Sequence, residues 1–150
     1  MQREGHVIGG GAQRPRPKDR DFLCEEDIRQ TVLEGRPGLL FRLRLPSYRS
    51  LPLSCIERIE LSVDGRPVEE AGMRLILGGH SYRLDELPGL SKVFWWILDQ
   101  ADLFVPWSER LQAGEHEVEG MMVTVEPYMT GGRYAMYYPS RRRLALASEE

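Results

Sequence analysis

Apolar and polar residues alternate along the middle of the chain, with the two-residue period typical of β-strands that have one buried face. The segment 39–45 places four large apolar residues on one side, and the segment 56–65 begins with a similar alternation. Asp64-Gly65 closes the second segment and predicts a tight hairpin turn, because both central residues of such a turn need positive φ. The pattern therefore predicts strands joined by short turns.

Further strands follow, each bounded by turn residues. Gly78-Gly79 separates two short strands within residues 73–84, and residues 85–90 predict a turn or a single helical turn ended by Pro88. The remaining strands are predicted at residues 92–98, 101–106, 114–127 and 133–138.

This series of short strands, with a turn signal roughly every 8 to 12 residues and no long amphipathic helix, predicts an all-β fold. We expect an antiparallel β-sandwich of the jelly-roll or immunoglobulin-like kind over residues 21–139. Its beginning is open, since a strand at Ile28–Val32 and a short helix both fit. Residues 1–20 form a basic Gly/Pro-rich segment with few apolar side chains, predicted to be a flexible, disordered arm. Residues 140–150 are predicted to be a tail without clear structure.

Composition excludes several classes of protein. A chain of 150 residues with a formal net charge of −3 does not suit a nucleic-acid binder that works through bulk positive charge. No apolar run approaches the roughly 20 residues of a membrane-spanning helix, and the first residues lack the apolar core of a secretory signal. Cys24 and Cys55 have no metal-binding spacing, so we expect two reduced thiols in a cytoplasmic protein.

Catalytic motifs are absent from the sequence, including those of serine hydrolases, zinc proteases and nucleotide-binding loops. His80 and His116 are predicted to be ordinary surface or turn residues, because their spacing does not require a metal. The glutamates of residues 115–119 alternate along one strand face and predict a solvated surface. The sequence thus predicts no catalytic residue and no metal ligand on this chain.

Trp95-Trp96 is the most informative aromatic pair. Adjacent residues of a strand point to opposite faces, so one indole can fill the core while the other points outward. Outward aromatic side chains can stack on sugars or anchor a protein interface. The alternative is that all of them pack in the core or at a sheet edge.

Three segments carry a resemblance to a known family: LPSYRSLPLSCIERIELSVDGRPV (45–68), LGGHSYRLDELPGL (77–90) and LQAGEHEVEGMMVTV (111–125). In this order, and with the Trp-rich segment between the second and third, they resemble the small β subunit of the bacterial C-glycoside deglycosidases, or C-deglycosylation enzymes. The resemblance covers about residues 22–128, and its most specific part is the loop and hairpin of the first segment.

The resemblance implies a function that composition does not. Family enzymes pair this β subunit with a larger α subunit that resembles sugar-phosphate isomerases, a TIM barrel with a divalent metal, usually manganese. The implied substrate is a 3-oxo-C-glycoside, whose C–C glycosidic bond is cleaved by β-elimination. The implied complex is a heterodimer or a higher α/β assembly that acts as a carbon–carbon lyase. This chain would carry no cofactor and would be inactive alone.

Under this resemblance, a contact surface for the α subunit is expected in the loop around Tyr48-Arg49, near the mouth of the barrel. The expected interface residues are Tyr48, Arg49, Pro52, Leu53 and Trp96. Alternatively, Tyr48 packs under the sandwich as a lid and Arg49 pairs with Glu57. A different class of function also fits the outward aromatic residues, namely a stand-alone carbohydrate-binding or scaffold β-sandwich.

Overall fold

Two antiparallel sheets face each other in a computed structural model that describes residues 21–126 and 134–148. The first sheet has the order β1-β2-β9-β6-β7 and the second the order β11-β10-β4-β5, while β3 and β8 form a separate two-stranded ribbon. The strands are β1 (Arg29–Leu33), β2 (Arg36–Arg44), β3 (Leu51–Pro52), β4 (Ile56–Val63), β5 (Arg66–Pro67), β6 (Arg74–Leu77), β7 (His80–Arg83), β8 (Phe94–Trp95), β9 (Gln100–Pro106), β10 (Glu115–Glu126) and β11 (Tyr134–Ala145). The predicted all-β antiparallel sandwich is confirmed.

The core lies between the two sheets and is built from the apolar faces that the alternation predicts. Phe41 of β2 and Leu103 of β9 come from the first sheet, and Ile59 of β4 and Met122 of β10 come from the second. These side chains belong to one buried cluster. Burial of large apolar side chains contributes roughly 1.5–3 kcal/mol each, so this shared cluster is what holds the two sheets together.

Both predicted tight turns are confirmed. Asp64 and Gly65 have φ of 50° and 83°, and Gly78 and Gly79 have φ of 60° and 83°. At Asp64 the strained backbone is held by side-chain bonds described below. The segment at 85–90 belongs to a 3-10 helix over Leu84–Gly89, in which Pro88 lies inside the turn rather than ending it.

The prediction of a strand over 92–98 is wrong for most of its length. Only Phe94–Trp95 pairs, and its partner is the equally short strand Leu51–Pro52. The chain then turns, because the amide of Asp99 donates to the carbonyl of Trp96 at 2.9 Å. The apolar run reads like a buried strand in the sequence because several of its side chains are large, although part of it faces solvent.

The open choice near the N-terminus is settled in favour of a strand, at Arg29–Leu33. The residues before it close one side of the sandwich: Leu23 bridges to Leu43 of β2, and Ile28 bridges to Leu146 beyond β11. Gly120 of β10 provides the space for this segment, since a Cβ there would lie 2.7 Å from the ring of Phe22. The predicted arm, residues 1–20, lies outside the described residues.

The last strand runs further than the sequence predicts. β11 continues through Ala145, so residues 140–145 belong to the sheet and not to a tail. The run Arg141-Arg142-Arg143 concealed this strand, because a charged triplet followed by small residues resembles a solvated terminus. In the fold, Arg142 points inward along the edge and donates to the carbonyl of Leu23 at 2.6 Å.

Candidate functional site

Two neighbouring segments build a surface of exposed aromatic and apolar side chains. β3 and β8 pair with Leu51 opposite Trp95 and Pro52 opposite Phe94. Because opposite residues in an antiparallel pair share a face, Leu51 and Trp95 both point into the core, where both are fully buried. The alternation then directs Phe94 and Trp96 outward, as predicted for one residue of the Trp95-Trp96 pair.

The outward rings of Phe94 and Trp96 lie against each other. Their centroids are 5.2 Å apart with an interplanar angle of 20°, while 38% of Phe94 and 58% of Trp96 remain exposed. Leu98 lies at the tip of the turn that follows and is 91% exposed. Stacking fixes the orientation of both rings, so this surface is rigid as well as apolar.

The loop before β3 is tied down at its base and exposed at its tip. Ser47 is buried, and its hydroxyl accepts from the amide of Arg49 at 3.2 Å and donates to the Arg49 carbonyl at 3.0 Å. Ser50 joins the loop to the Trp segment, because its hydroxyl accepts from the amide of Ile97 at 2.8 Å. Tyr48 is 52% exposed and Arg49 is also exposed. Such side-chain bonds to nearby backbone hold the loop in one conformation.

The structure brings most of the predicted interface residues to this one end of the molecule. We call it the aromatic end: Tyr48, Arg49, Pro52, Phe94, Trp96 and Leu98. Leu53 is an exception and a correction, since it is fully buried in the first turn of a 3-10 helix over Leu53–Cys55. It supports the loop from below and offers no contact surface. The exposure of Tyr48 also argues against its role as a lid.

His116 is the residue that sequence reasoning placed wrongly. It is only 7% exposed, although a surface or turn position was predicted. Its Nδ1 lies 2.7 Å from Oδ2 of Asp64, and its Nε2 lies 2.6 Å from the carbonyl oxygen of Gln112. We call Asp64, Gln112 and His116 the polar end. Only the pairing of β4 with β10 could have revealed it in advance, because 52 residues separate Asp64 from His116.

Asp64 also holds the start of β10. Its Oδ1 accepts from the amide of Glu117 at 2.9 Å, and its own amide donates to the Glu117 carbonyl at 2.8 Å. The hydrogen bond from His116, the Glu117 amide and nearby positive charge hold the pKa of Asp64 below its usual range. Burial lowers the pKa of His116, but the bonds to Asp64 and to Gln112 outweigh burial and raise it above its usual value.

The two ends are separated by the length of β4, which begins directly after the Leu53–Cys55 turn and ends at Val63, just before Asp64. Eight strand residues span roughly 26 Å at about 3.3 Å per residue. On the outward face beside the polar end, Arg141 pairs with Glu117 and Glu119, and Arg143 pairs with Glu115. The predicted acidic face is therefore paired with arginines of β11, in the part of that strand that the sequence predicts to be a tail.

The next features are the possible metal-binding groups and the cysteines of the chain. Within residues 21–126 and 134–148, no group of three or more His, Cys, Asp and Glu side chains is arranged to hold a metal ion. Cys24 and Cys55 are buried and form no disulfide bond. Among the same residues, no helix has the length and apolar character needed to span a membrane. The aromatic end is the candidate site, because its exposed aromatic and apolar side chains suit binding.

Comparison with known proteins gives one consistent result. Residues 18–128 match the family described as C-glycoside deglycosidase beta subunit. The matched range includes the whole aromatic end and the whole polar end, so both features lie within the part of the chain that the family shares.

Three relatives show how far the similarity extends. The "3'-dehydrocarminate deglycosidase beta subunit" of a Microbacterium species is 33% identical over 68% of this chain and 76% of its own length. Two proteins of Arthrobacter globiformis, each named "C-glycoside deglycosidase beta subunit", are 31% and 34% identical. Their matches cover 61% and 72% of this chain, and 70% and 83% of the relatives.

Proposed function

This chain belongs to the C-glycoside deglycosidase beta subunit family, and from that premise we propose that it is a non-catalytic subunit that docks through its aromatic end onto a catalytic α subunit. The relatives are named as beta subunits, which implies a partner subunit in a complex. We infer which surface of this chain contacts the partner, and that catalysis takes place on the partner.

The stacked, exposed pair Phe94–Trp96 is the observation that carries this proposal. Trp, Tyr and Arg are the residue types that contribute most to protein interfaces, and the aromatic end presents Trp96, Tyr48 and Arg49 from neighbouring segments. The β3–β8 ribbon and the Ser47 and Ser50 bonds fix the surface before docking. A surface that is already ordered loses little conformational entropy on association.

The chemistry is assigned to the partner. We infer that the α subunit is a sugar-phosphate-isomerase-like TIM barrel that binds a divalent metal, with manganese the first candidate. The described residues of this chain offer no metal site, which fits a metal carried elsewhere in the complex. Such an ion, when bound, would supply Lewis-acid stabilisation of developing negative charge on an oxygen atom of the sugar.

The proposed reaction cleaves the C–C bond of a 3-oxo-C-glycoside by elimination. The 3-keto group acidifies the hydrogen on C2, and a base on the α subunit removes that proton. The electron pair of the broken C2–H bond forms a double bond between C1 and C2, and the bond from C1 to the aglycone carbon breaks. The aglycone carbon takes up a proton, so the products are the free aglycone and an unsaturated anhydro-keto-sugar. The activity is that of a carbon–carbon lyase.

This chain contributes by covering the active-site mouth of the barrel. TIM-barrel active sites open among loops at one face, and a rigid surface pressed there would order those loops and exclude water. The substrate would be held mainly by the α subunit, in a heterodimer or a higher α/β assembly. We also infer a cytoplasmic location, which two buried cysteines without a disulfide bond support, since reducing compartments keep thiols from being oxidised to disulfides.

Co-expression with a candidate barrel subunit tests the proposal. We expect the two chains to co-elute in size-exclusion chromatography and to cleave a 3-oxo-C-glycoside, with no cleavage by this chain alone. In the double variant Phe94→Ala/Trp96→Ala, co-elution and activity should fall together, because both anchors are removed. The matched control is Val32→Ala, which removes exposed apolar surface from β1 and should change neither.

The same variants separate this function from carbohydrate binding. If the wild-type chain alone binds sugars and the double variant loses that binding while co-elution persists, the aromatic end serves a carbohydrate-binding module and the docking proposal is wrong. Normal co-elution of the double variant without sugar binding by either protein would place the interface elsewhere.

A further inference from the structure

His116 makes two hydrogen bonds that one neutral imidazole cannot both keep. The carbonyl oxygen of Gln112 can only accept, so the bond at 2.6 Å requires a proton on Nε2. The ionised carboxylate of Asp64 also only accepts, so the bond at 2.7 Å requires a proton on Nδ1. Both contacts therefore hold together only while the ring is an imidazolium.

Loss of one proton must place a lone pair against one of the two oxygen atoms. If Nδ1 is bare, it faces the carboxylate of Asp64; if Nε2 is bare, it faces the carbonyl of Gln112. Hydrogen bonds to an ionised group are roughly twice as strong as neutral ones. The neutral tautomer that keeps Nδ1–H and the contact to Asp64 is therefore favoured, and the contact to Gln112 is the one that breaks.

Gln112 belongs to the segment between β9 and β10, which this contact helps to fix to the sheet. Next to it, the carbonyl of Gly114 accepts from the amide of Leu146 at 3.0 Å. Gln112 and Ala113 line a cleft of about 480 Å³ together with Gln30, Leu146 and Ser148. A shift of this segment would therefore change both the Leu146 bond and the shape of the cleft.

We propose that His116 is a proton-controlled latch: protonated, it ties residues 112–114 to the Asp64 turn, and deprotonated, it releases this segment while it remains bonded to Asp64. The contrast between the two attachments is the core of the proposal. Asp64 has two further bonds to the backbone of Glu117, whereas the segment 112–114 would keep mainly the Leu146 bond.

The charged groups around the latch favour this outcome. The charge that acts directly on His116 is that of Asp64, from the hairpin turn. On β11, the residue opposite His116 is the apolar Leu144. The neighbouring Arg143 adds positive charge beside Asp64 and is itself bonded to Glu115. Asp64 accordingly stays ionised when the ring loses its proton, and because the pKa of His116 is raised, that step comes at a higher pH than for an ordinary histidine.

Amide hydrogen exchange of the full chain, followed together with the His116 ring by NMR between pH 5 and pH 9, tests the latch. Because the Leu146 amide reports on residues 112–114, its exchange, corrected for intrinsic pH dependence, should rise about five- to ten-fold at the midpoint of His116, as expected for one lost hydrogen bond. The Asp64 amide, which reports on the turn, should keep its protection.

Two variants complete the test. His116→Gln removes the titrating group and should abolish the pH dependence at Leu146, whereas His80→Gln replaces an exposed histidine and should leave it unchanged. Exposure of the Asp64 amide instead of the Leu146 amide would overturn the proposal. So would a His116 titration without any change at Leu146, or no titration in this range. The wild-type measurement decides the question even if His116→Gln does not fold.

Discussion

The two ends of the sandwich differ in what they leave unsatisfied. At the aromatic end, Phe94, Trp96 and Leu98 expose large apolar surface to solvent, yet bonds within the chain fix the surrounding backbone. At the polar end, His116 is buried and its two ring nitrogens are both bonded. Burial of apolar surface is favourable, so the aromatic end gains from a partner while the polar end is already complete. The difference supports our proposal that the aromatic end docks onto a partner, while the bonds at the polar end join parts of the same chain.

The sharpest test of the aromatic end compares two adjacent tryptophans. Trp95→Ala should lower the free energy of unfolding by about 3–5 kcal/mol, the usual cost of truncating a buried large aromatic residue. Trp95 is fully buried, and its Nε1 donates to the carbonyl of Asp99 at 2.9 Å. Trp96→Ala is the matched control and should cost less than about 1 kcal/mol, as is usual for exposed positions. Denaturant unfolding of both variants measures the contrast, and equal costs would refute the assignment of opposite faces.

The next largest effect is expected in assembly. Tyr48→Ala/Arg49→Ala should weaken binding to the α subunit by roughly 2 kcal/mol or more, since both residue types are frequent interface anchors. The free energy of unfolding of the chain alone should change by less than about 1 kcal/mol, because both side chains are exposed. Thermal unfolding and complex formation are measured on the same sample. A double variant that unfolds early but still binds normally would show that the loop serves the fold.

A smaller effect is expected from pH at the polar end. The pKa of His116 is raised by folding, so its contribution to stability is complete below about pH 6.5, its usual value, and is lost as the pH rises through the folded pKa. The pKa of Asp64 is lowered, so its contribution is present above about pH 3.9 and is lost as the pH falls through its folded value. The loss at the alkaline side should be about 1 kcal/mol, that of one hydrogen bond.

Urea unfolding of the wild type and of His116→Gln at a series of pH values measures this contribution. The difference in unfolding free energy between the two proteins should shrink above pH 6.5. A difference that stays constant from pH 5 to pH 9 would show that folding does not shift the pKa of His116.

The smallest effect is expected for the outward face of the polar end. Arg141→Ala should change the free energy of unfolding by less than about 0.5 kcal/mol, because its partners Glu117 and Glu119 are bonded at the surface, where solvent and salt screen the charges. The measurement is denaturant unfolding at low and at high salt. A cost above 1 kcal/mol would mean that the His116–Asp64 pair is not the main stabilising contact at this end.

The features that the sequence predicted correctly are local ones. The Asp64-Gly65 and Gly78-Gly79 turns follow from the φ angles that those residues tolerate, and the opposite faces of Trp95 and Trp96 follow from the strand period. Neither inference needs knowledge of which strands pair.

The features that it missed depend on distant partners. His116 can be buried because the carboxylate of Asp64 bonds to its ring. Asp64 lies in the turn after β4, the strand that pairs with β10, so no local sequence pattern contains this information. Leu53 is buried because the ribbon folds the loop back over the core. The strand through residues 140–145 was concealed because its arginines alternate against glutamates that lie more than 20 residues earlier.

The bridge between Ile28 and the end of β11 constrains how the protein is made. The amide of Ile28 donates to the carbonyl of Ala145 at 2.8 Å, and its carbonyl accepts from Ala147 at 2.8 Å, so one of the earliest described residues closes on the latest ones. During synthesis, Ile28 leaves the ribosome long before its partners exist. The side of the sandwich at Phe22 and Leu23 therefore stays open until residues 145–147 have been synthesised, and contacts between such distant residues form slowly. A nascent chain that stops before residue 140 should remain a client of chaperones, with the core uncovered along that side.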